Sequence, residues 1–360
     1  MKQEFNDVYI ESMDFDLPKE TLSSFEIEQK LSPLYEDLKL SFGRLELMTG
    51  IKNRHIYPLL QRPSQIAVEL GKKLLQSTSI NYKNLDLLIN ASVCRDFLEP
   101  ATAAFIHKGL ELPSECPFLD VSNACLGVLQ SLFFASSLIQ SKAIKSALII
   151  SAENSRPLIE QSILQLLTVH SQKNISQTKQ VLKKMFSNFT IGSGCFGILL
   201  VHKSLLRKTM DQQFYFKIVG GVQLVDSQSA DLCTGDGNLQ NLMMETNSSL
   251  MLERGVRLAK LGFEKFCEEF NVFGNTFDHF VTHQVGKMHQ QVLYDCLKIP
   301  LEKDYSNFEK VGNCGSVALM IAFCELAKNL IYRNEKKEIA LLGIGSGLST
   351  LMMRLQWTQI

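Results

Sequence analysis

Several signatures that direct an unfamiliar chain toward a known class are missing here. The 37 basic and 37 acidic side chains cancel across 360 residues, so no excess positive field recommends nucleic acid or an anionic membrane surface as a partner. Nine cysteines are scattered without a Cys-x-x-Cys pair, which argues against a disulfide framework or a zinc site and fits a reducing cytosol. The opening MKQEFNDVYIESMDFD has no apolar stretch behind a basic start, so no secretory signal is expected, and no low-complexity tail or linker interrupts the chain. The long uncharged run from Val121 to Ser141 has the length to span a bilayer. It also carries Ser122, Asn123, Gln130, Ser131, Ser136, Ser137 and Gln140, which lipid would leave unsatisfied, so it reads as a buried helix and no integral membrane segment is expected. A cytoplasmic protein built for small-molecule chemistry remains.

What is present is an alternation of apolar, β-rich runs with helical patterns. LDLLINASV (85 to 93), CPFLDVS (116 to 122), SALIISAE (146 to 153), CFGILLVHKS (195 to 204), FYFKIVGGVQLV (214 to 225), FDHFVTHQV (277 to 285), EIALLGIGSG (338 to 347) and STLMMRLQW (349 to 357) read as strands. Several are hydrophobic almost throughout, as strands covered on both faces are. The predicted class is therefore α/β, with mixed sheets layered between helices. DLLINASV in one half and DHFVTHQV in the other are each followed by a helix-like segment, and SALIISAE answers IALLGIGS. Two related halves are expected, residues 1–205 and 206–360, with a helical insertion at 155–190 over the mouth of a site. The charge cluster YRNEKKE (332 to 338) reads as a solvated helix end.

Cys125 lies where the strand FLDVS runs into NACLGVL. Ser122 or Asn123 capping a helix there would leave the thiol near unpaired amides and a positive dipole end, which lower its pKa below the usual value of about 8.5. The competing reading is an inert packed thiol, since cysteine is among the most buried residue types. His283 ends the apolar stretch FVTH, and Asn313 sits in a glycine-flanked turn, VGNCGSVAL, before another helix. Strand ends are where α/β folds bind ligands, but a satisfied structural histidine and a capping asparagine explain either residue alone. GIGSG (343 to 347) likewise reads as a tight strand connection needing positive φ. The other cysteines read as small core residues, and the other histidines show no metal-ligand spacing.

Taken together, DVSNACLGVLQSLFFASSLIQSKAIKSALIISAE, VTHQVGKMHQQVL, VGNCGSVAL and ALLGIGSGLSTLMM resemble, in order and spacing, the thiolase-fold condensing enzymes of the β-ketoacyl synthase III type. The resemblance runs from MTGIKNRHIYP (48 to 58) to the end. It implies a Cys-His-Asn site: Cys125 takes an acyl group from a thioester, and His283 and Asn313 bind the second thioester's oxygen as it becomes enolate-like. The backbone amides of Cys125 and Ser346 would form the other oxyanion hole. SVCRDFLEPATAAFIHKGLEL (92 to 112) resembles the OleA branch, which joins two fatty acyl-CoA molecules head to head. In that branch the glutamate matching Glu99 crosses the dimer interface and acts as the base for an α-proton, because a plain acyl thioester must lose a proton where malonyl loses carbon dioxide. The simpler reading of Glu99 is helix-start chemistry ahead of Pro100.

The resemblance thus implies a homodimeric acyltransferase making a β-keto acid or its thioester from acyl-CoA substrates. It implies no metal and no resident cofactor, with coenzyme A thioester entering as substrate, and Phe97, Leu98 and Phe118 as candidate acyl-channel residues. Two alternatives stay open. One is a synthase III elongating an acyl group with malonyl on acyl carrier protein; the other is a silent subunit that only binds acyl chains. The sequence departs from the family in lacking a proline after Ser316, where Val317 stands, and in the loosely similar LSTLMMRLQW.

Overall fold

The computed structural model describes the chain except for residues 79, 207–213, 237–241, 284, 331–334 and 360, and the side chain of residue 82. The charge cluster at 332–338 therefore lies partly outside the described residues, as does the stretch just after the expected division at 205.

Ten strands form one mixed sheet. In spatial order its path runs His279–Thr282, Lys337–Gly345, Ser349–Gln359, Phe214–Val225, Val8–Asp16, Gly194–His202, Ser146–Glu153, Leu88–Asn90 and Phe118–Asp120, with Lys2–Glu4 paired to Phe214–Val225. From the centre outward both sides repeat one pattern. Val8–Asp16 pairs antiparallel with Gly194–His202, which pairs antiparallel with Ser146–Glu153, which pairs parallel with Leu88–Asn90. On the other side Phe214–Val225, Ser349–Gln359, Lys337–Gly345 and His279–Thr282 are joined by the same antiparallel, antiparallel, parallel series. Between the halves the direct seam is short, Tyr9 opposite Lys217 and Ile10 opposite Phe216. The two related α/β halves expected from the sequence are thus joined in one sheet rather than in separate ones.

Side-chain alternation explains the layering. In Ser146–Glu153, Ala147 and Ile149 face a central core while Leu148 and Ile150 face an outer one. Lys337–Gly345 does the same: Ile339 and Leu341 point to the central core, Ala340 and Leu342 to another outer core. The central core is filled by two buried helices, Gly127–Gln140 and Ala318–Leu330. The outer layers are Pro63–Ser77 with Thr102–Gly109 on one half and Ser248–Phe270 with Lys287–Leu297 on the other. The interior helix within the run Val121–Ser141 is Gly127–Gln140, and no described helix is long and apolar enough to cross a membrane.

Two sequence expectations need correction. Of the runs 85 to 93 and 277 to 285, only Leu88–Asn90 and His279–Thr282 are strands among the described residues. The reading also missed Val8–Asp16, a central strand whose acidic residues disguise it. Met13, Phe15 and Leu17 pack on the core, while Asp14 and Asp16 alternate with them. Segment 155–190 forms the helices Arg156–Ser171 and Ile175–Met185 and a short 3-10 stretch, Phe186–Thr190. Its Ile159, Ile163, Leu166, Met185 and Phe189 share a core with Ile27, Leu31 and Leu34 of the amino-terminal helices.

Gly127 opens the first central helix where the chain passes the loop after Leu88–Asn90, and a Cβ there would lie 2.4 Å from the Ala91 carbonyl oxygen. Rigid backbone cannot yield as a side chain would. Gly127→Ala should therefore lower the urea midpoint, with a loss of about 1–3 kcal/mol typical of overpacking; an unchanged midpoint would show that this approach is looser than the geometry requires.

Candidate active site

Cys125 occupies a 3-10 turn, Ala124–Leu126, just ahead of the helix Gly127–Gln140. Ala124 adopts φ 44°, a left-handed conformation uncommon for a residue with a Cβ. The turn is closed by the Leu126 N–H donating to Asn123 O at 2.9 Å. The capping expected of Asn123 does not form: its Nδ2 donates to Gln130 Oε1 at 3.2 Å, and the helix starts at Gly127 without a side-chain cap. The expected downward pKa shift is also reversed. Burial pushes the Cys125 thiol up to about 12, with the nearby Cys233 thiol and Glu153 carboxylate adding to the effect. A short 3-10 turn brings little dipole to offset the loss of water.

The second half presses onto this turn. A Cβ at Gly343 would lie 2.6 Å from the Leu126 and Leu129 Cδ2 atoms, and one at Gly345 would lie 2.9 Å from Leu126 Cγ. These glycines bring Lys337–Gly345 and its connection to Ser349–Gln359 against the thiol's neighbour. Ser346 sits in that connection and Gly347 has φ 106°, as the tight-turn reading of GIGSG anticipates.

His283 is held on the same strand. It follows His279–Thr282, and its N–H donates to Leu342 O at 3.2 Å. Its Nδ1 is buried with no hydrogen-bond partner among the described residues. Burial, helped by His289, drives its pKa down to about 4, so the ring is neutral at physiological pH and presents one N–H donor and one bare nitrogen.

Asn313 is stapled at three points. Its N–H donates to Thr190 O at 2.8 Å, its carbonyl accepts from Gly192 N–H at 2.9 Å, and its Oδ1 accepts from Gly315 N–H at 3.1 Å. With Oδ1 engaged, Nδ2 is the end left to donate. Gly312 and Gly315 take φ 73° and 56°, the conformations that shape this turn. The following 3-10 turn, Gly315–Val317, packs beside the thiol's turn: a Cβ on Gly127 would stand 3.6 Å from Ser316 Cβ. The elements bearing Cys125, His283, Asn313 and Ser346 thus converge around Leu126.

Glu99 stands apart, exposed in a loop with Phe97 and Leu98. Helix-start chemistry does not account for it: the helix begins at Thr102, and its first amides, on Thr102 and Ala103, both donate at 2.8 Å to the Asp120 carboxylate. The loop is firmly based. Val93 and Cys94 N–H donate to Glu153 at 2.9 and 3.0 Å, Asp96 N–H donates to Thr102 Oγ1 at 3.2 Å, and the Asp96 carboxylate accepts from Ser64 N–H and Oγ. The tip, from Phe97 to Pro100, is exposed throughout. Phe97 lies under the Arg62 guanidinium at 4.2 Å and against Phe105, Leu98 is 93% exposed, and Phe118 sits half-exposed on the edge strand. These three candidates belong to this outer edge rather than to the packing around Cys125.

Sequence reasoning missed Glu153, the buried acidic end of Ser146–Glu153. Its signal was an ionisable residue closing an otherwise apolar strand. No group of three or more His, Cys, Asp or Glu with metal-binding geometry occurs among the described residues.

Two family models match the chain: 3-oxoacyl-[acyl-carrier-protein] synthase III at residues 119–167 and the synthase III C-terminal model at 267–357. An acyl-CoA:acyl-CoA alkyltransferase of Shewanella oneidensis is 29% identical over 98% of this chain and 99% of its own. One of Xanthomonas campestris is 28% identical over 94% and 95%. A crystal structure of Xanthomonas campestris OleA with bound lauric acid and lauroyl-CoA superposes with a TM-score of 0.88 at 27% identity, covering 98% of this chain and all of the other.

Loss of water shifts the Cys125 thiol up to about 12 and the His283 imidazole down to about 4, so both shifts favour the neutral forms. Alkylation of Cys125 by iodoacetamide should rise about tenfold per pH unit through pH 8 to 10 without a plateau. A plateau near pH 7, lost in His283→Ala, would show a preformed ion pair instead.

Proposed function

We propose that this chain, an OleA-like thiolase-fold condensing enzyme, joins two fatty acyl-CoA thioesters by Claisen condensation to a β-keto acid or its thioester. It is a thiolase-superfamily acyltransferase. The observation that carries the reading is full-length similarity to acyl-CoA:acyl-CoA alkyltransferases together with a carboxylate, Glu99, presented on a braced loop and unoccupied by helix capping. Malonyl-dependent condensation needs no such base, so the synthase III alternative with acyl carrier protein is less well supported, and a silent binding subunit has no use for the converged Cys, His and Asn.

In the first half-reaction the Cys125 sulfur attacks an acyl-CoA carbonyl. A thiol held up to about 12 needs a proton acceptor as it attacks; the neutral His283 ring takes that proton and returns it to the departing CoA sulfur. The Cys125 and Ser346 amides stabilise the tetrahedral oxyanion. In the second, Glu99 removes an α-proton from another acyl-CoA, whose enolate oxygen is held by the His283 N–H and Asn313 Nδ2. The α-carbon attacks the acyl-cysteine, Cys125 leaves as thiolate and takes a proton from solvent, Glu99 returns its proton to solvent, and hydrolysis of the remaining CoA thioester by water gives the acid form of the product. Glu99 does this work across a homodimer interface, where the partner covers the exposed Phe97, Leu98 and Phe118 and these side chains line an acyl path. The enzyme acts in cytoplasmic lipid metabolism.

Two measurements test this. Intact-mass analysis with lauroyl-CoA should show an acyl adduct that disappears in Cys125→Ser; persistence of the adduct there removes the nucleophile. His283→Ala and Asn313→Ala should lose condensation by about 100- to 1,000-fold, the scale of a lost oxyanion donor, while Asn313→Ala still acylates.

The base assignment has its own test. Glu99→Gln should acylate normally yet fail to condense acyl-CoA alone, and mixing it with Cys125→Ala should restore part of the activity through mixed dimers. Product that forms only with malonyl thioester, unaffected by Glu99→Gln, would establish the synthase III reaction instead.

A further inference from the structure

The structure assigns to Glu153 a positioning role in condensation: its carboxylate holds the Glu99-bearing loop and the Asn313 turn in fixed register. The inference rests on the reading of Glu99 and Asn313 above.

Glu153 is 3% exposed at the end of a strand whose residues are all buried. Among the described residues no Lys or Arg pairs with it; hydrogen-bond donors from two other segments do. Oε1 accepts from Val93 N–H at 2.9 Å and Ser316 Oγ at 2.5 Å, with Ser316 N–H at 3.4 Å, and Oε2 accepts from Cys94 N–H at 3.0 Å. Gly315 makes the approach possible, since a Cβ there would lie 3.3 Å from Glu153 Cδ. Beneath the carboxylate, Ser151 Oγ lies 2.8 Å from Ser316 Oγ and 3.3 Å from Ser92 Oγ, and its single hydroxyl proton serves one of these two neighbours at a time.

A buried carboxylate without a cation is costly, and packing alone would be better served by an apolar residue. What this site demands is a group that only accepts, on both oxygens. Glutamine has the shape, but its amide nitrogen would face one of the N–H donors and leave it unpaired. The segments so joined are those of the second half-reaction. Val93 and Cys94 form the foot of the loop whose tip is Glu99, and Ser316 follows Asn313 by three residues in its turn. Acylation uses the Cys125 thiol, the His283 ring and backbone amides and draws on neither. If the base crosses to the other subunit, Glu153 links the oxyanion donor each subunit keeps to the base it lends.

The test compares wild type, Glu153→Gln, Ser316→Ala and the double variant as full-length protein with lauroyl-CoA. Wild-type product from lauroyl-CoA alone checks the underlying reading separately; if wild type instead needs malonyl thioester, that reading fails whatever the variants do. Each variant is then scored against wild type for acyl-adduct formation, α-hydrogen exchange and product. Positioning predicts acylation within about threefold of wild type while exchange and condensation fall roughly 10- to 100-fold, as for misplaced groups. It also predicts a double variant no worse than the worse single one, because both substitutions break one tie. Acylation and condensation falling together, or both remaining at wild-type levels, would overturn it. Should Glu153→Gln not fold, Ser316→Ala, which removes a single hydroxyl, decides by the same comparison.

Discussion

The arrangement depends on the contact between Leu126 and the glycines at 343 and 345. With a Cβ at 343 only 2.6 Å from Leu126 and Leu129 side-chain atoms, a larger residue would have to displace both leucines that pack beside the cysteine turn. That strand belongs to one half and the cysteine turn to the other. His283 hydrogen-bonds to Leu342, the residue before the first of these glycines, so its distance from the thiol is set by the same contact. Asn313 reaches the turn by a different route, through the 3-10 turn beside Gly127, another glycine that leaves no room for a side chain. The site is therefore assembled by close backbone approach, and its polar residues are held by sheet and turn geometry rather than by each other.

Close approach also sets the electrostatics. Exclusion of water raises the Cys125 thiol, lowers the His283 imidazole and raises the Glu153 carboxyl, each toward its neutral form, with desolvation the leading cause in every case. A resting thiolate–imidazolium pair would have to bear the cost of two buried charges. Under the proposed mechanism both partners stay neutral at rest and a proton moves only when the thioester is present. A neutral imidazole would then serve as acceptor in one half-reaction and as an N–H donor in the other without a standing charge.

Part of the candidate site was legible because Cys125, His283 and Ser346 follow apolar strand runs, whereas Asn313 follows the short helix Phe308–Val311 and was marked only by its flanking glycines. SALIISAE and IALLGIGS announce their strands, and GNCGS marks the turn that carries Asn313. The strand Val8–Asp16 was hidden because its outward positions are acidic, although Met13, Phe15 and Leu17 keep the period of two. The direction of the thiol's pKa was misread because a cysteine before a helix suggests a dipole, whereas a 3-10 turn and burial govern it. Glu153 escaped because its partners lie about 60 and 163 residues away, a relation no local pattern displays.

The contrast between Glu153 and Glu99 shows how one chain uses the same side chain for opposite ends. Glu153 is enclosed and saturated with donors from two segments, so its oxygens are committed to holding backbone and are not available to a substrate. Glu99 has its loop anchored by Glu153 and Asp96 below and by Asp120 at the following helix, leaving the tip exposed. A base that must remove a proton from carbon needs a fixed position and an oxygen free to accept. Bracing the foot of the loop supplies the first requirement without consuming the second. Under the proposed reading, the cost of desolvating the Glu99 carboxylate would be deferred until a partner surface covered the loop, which would tie the assembly of the base to that of an acyl path around Phe97, Leu98 and Phe118.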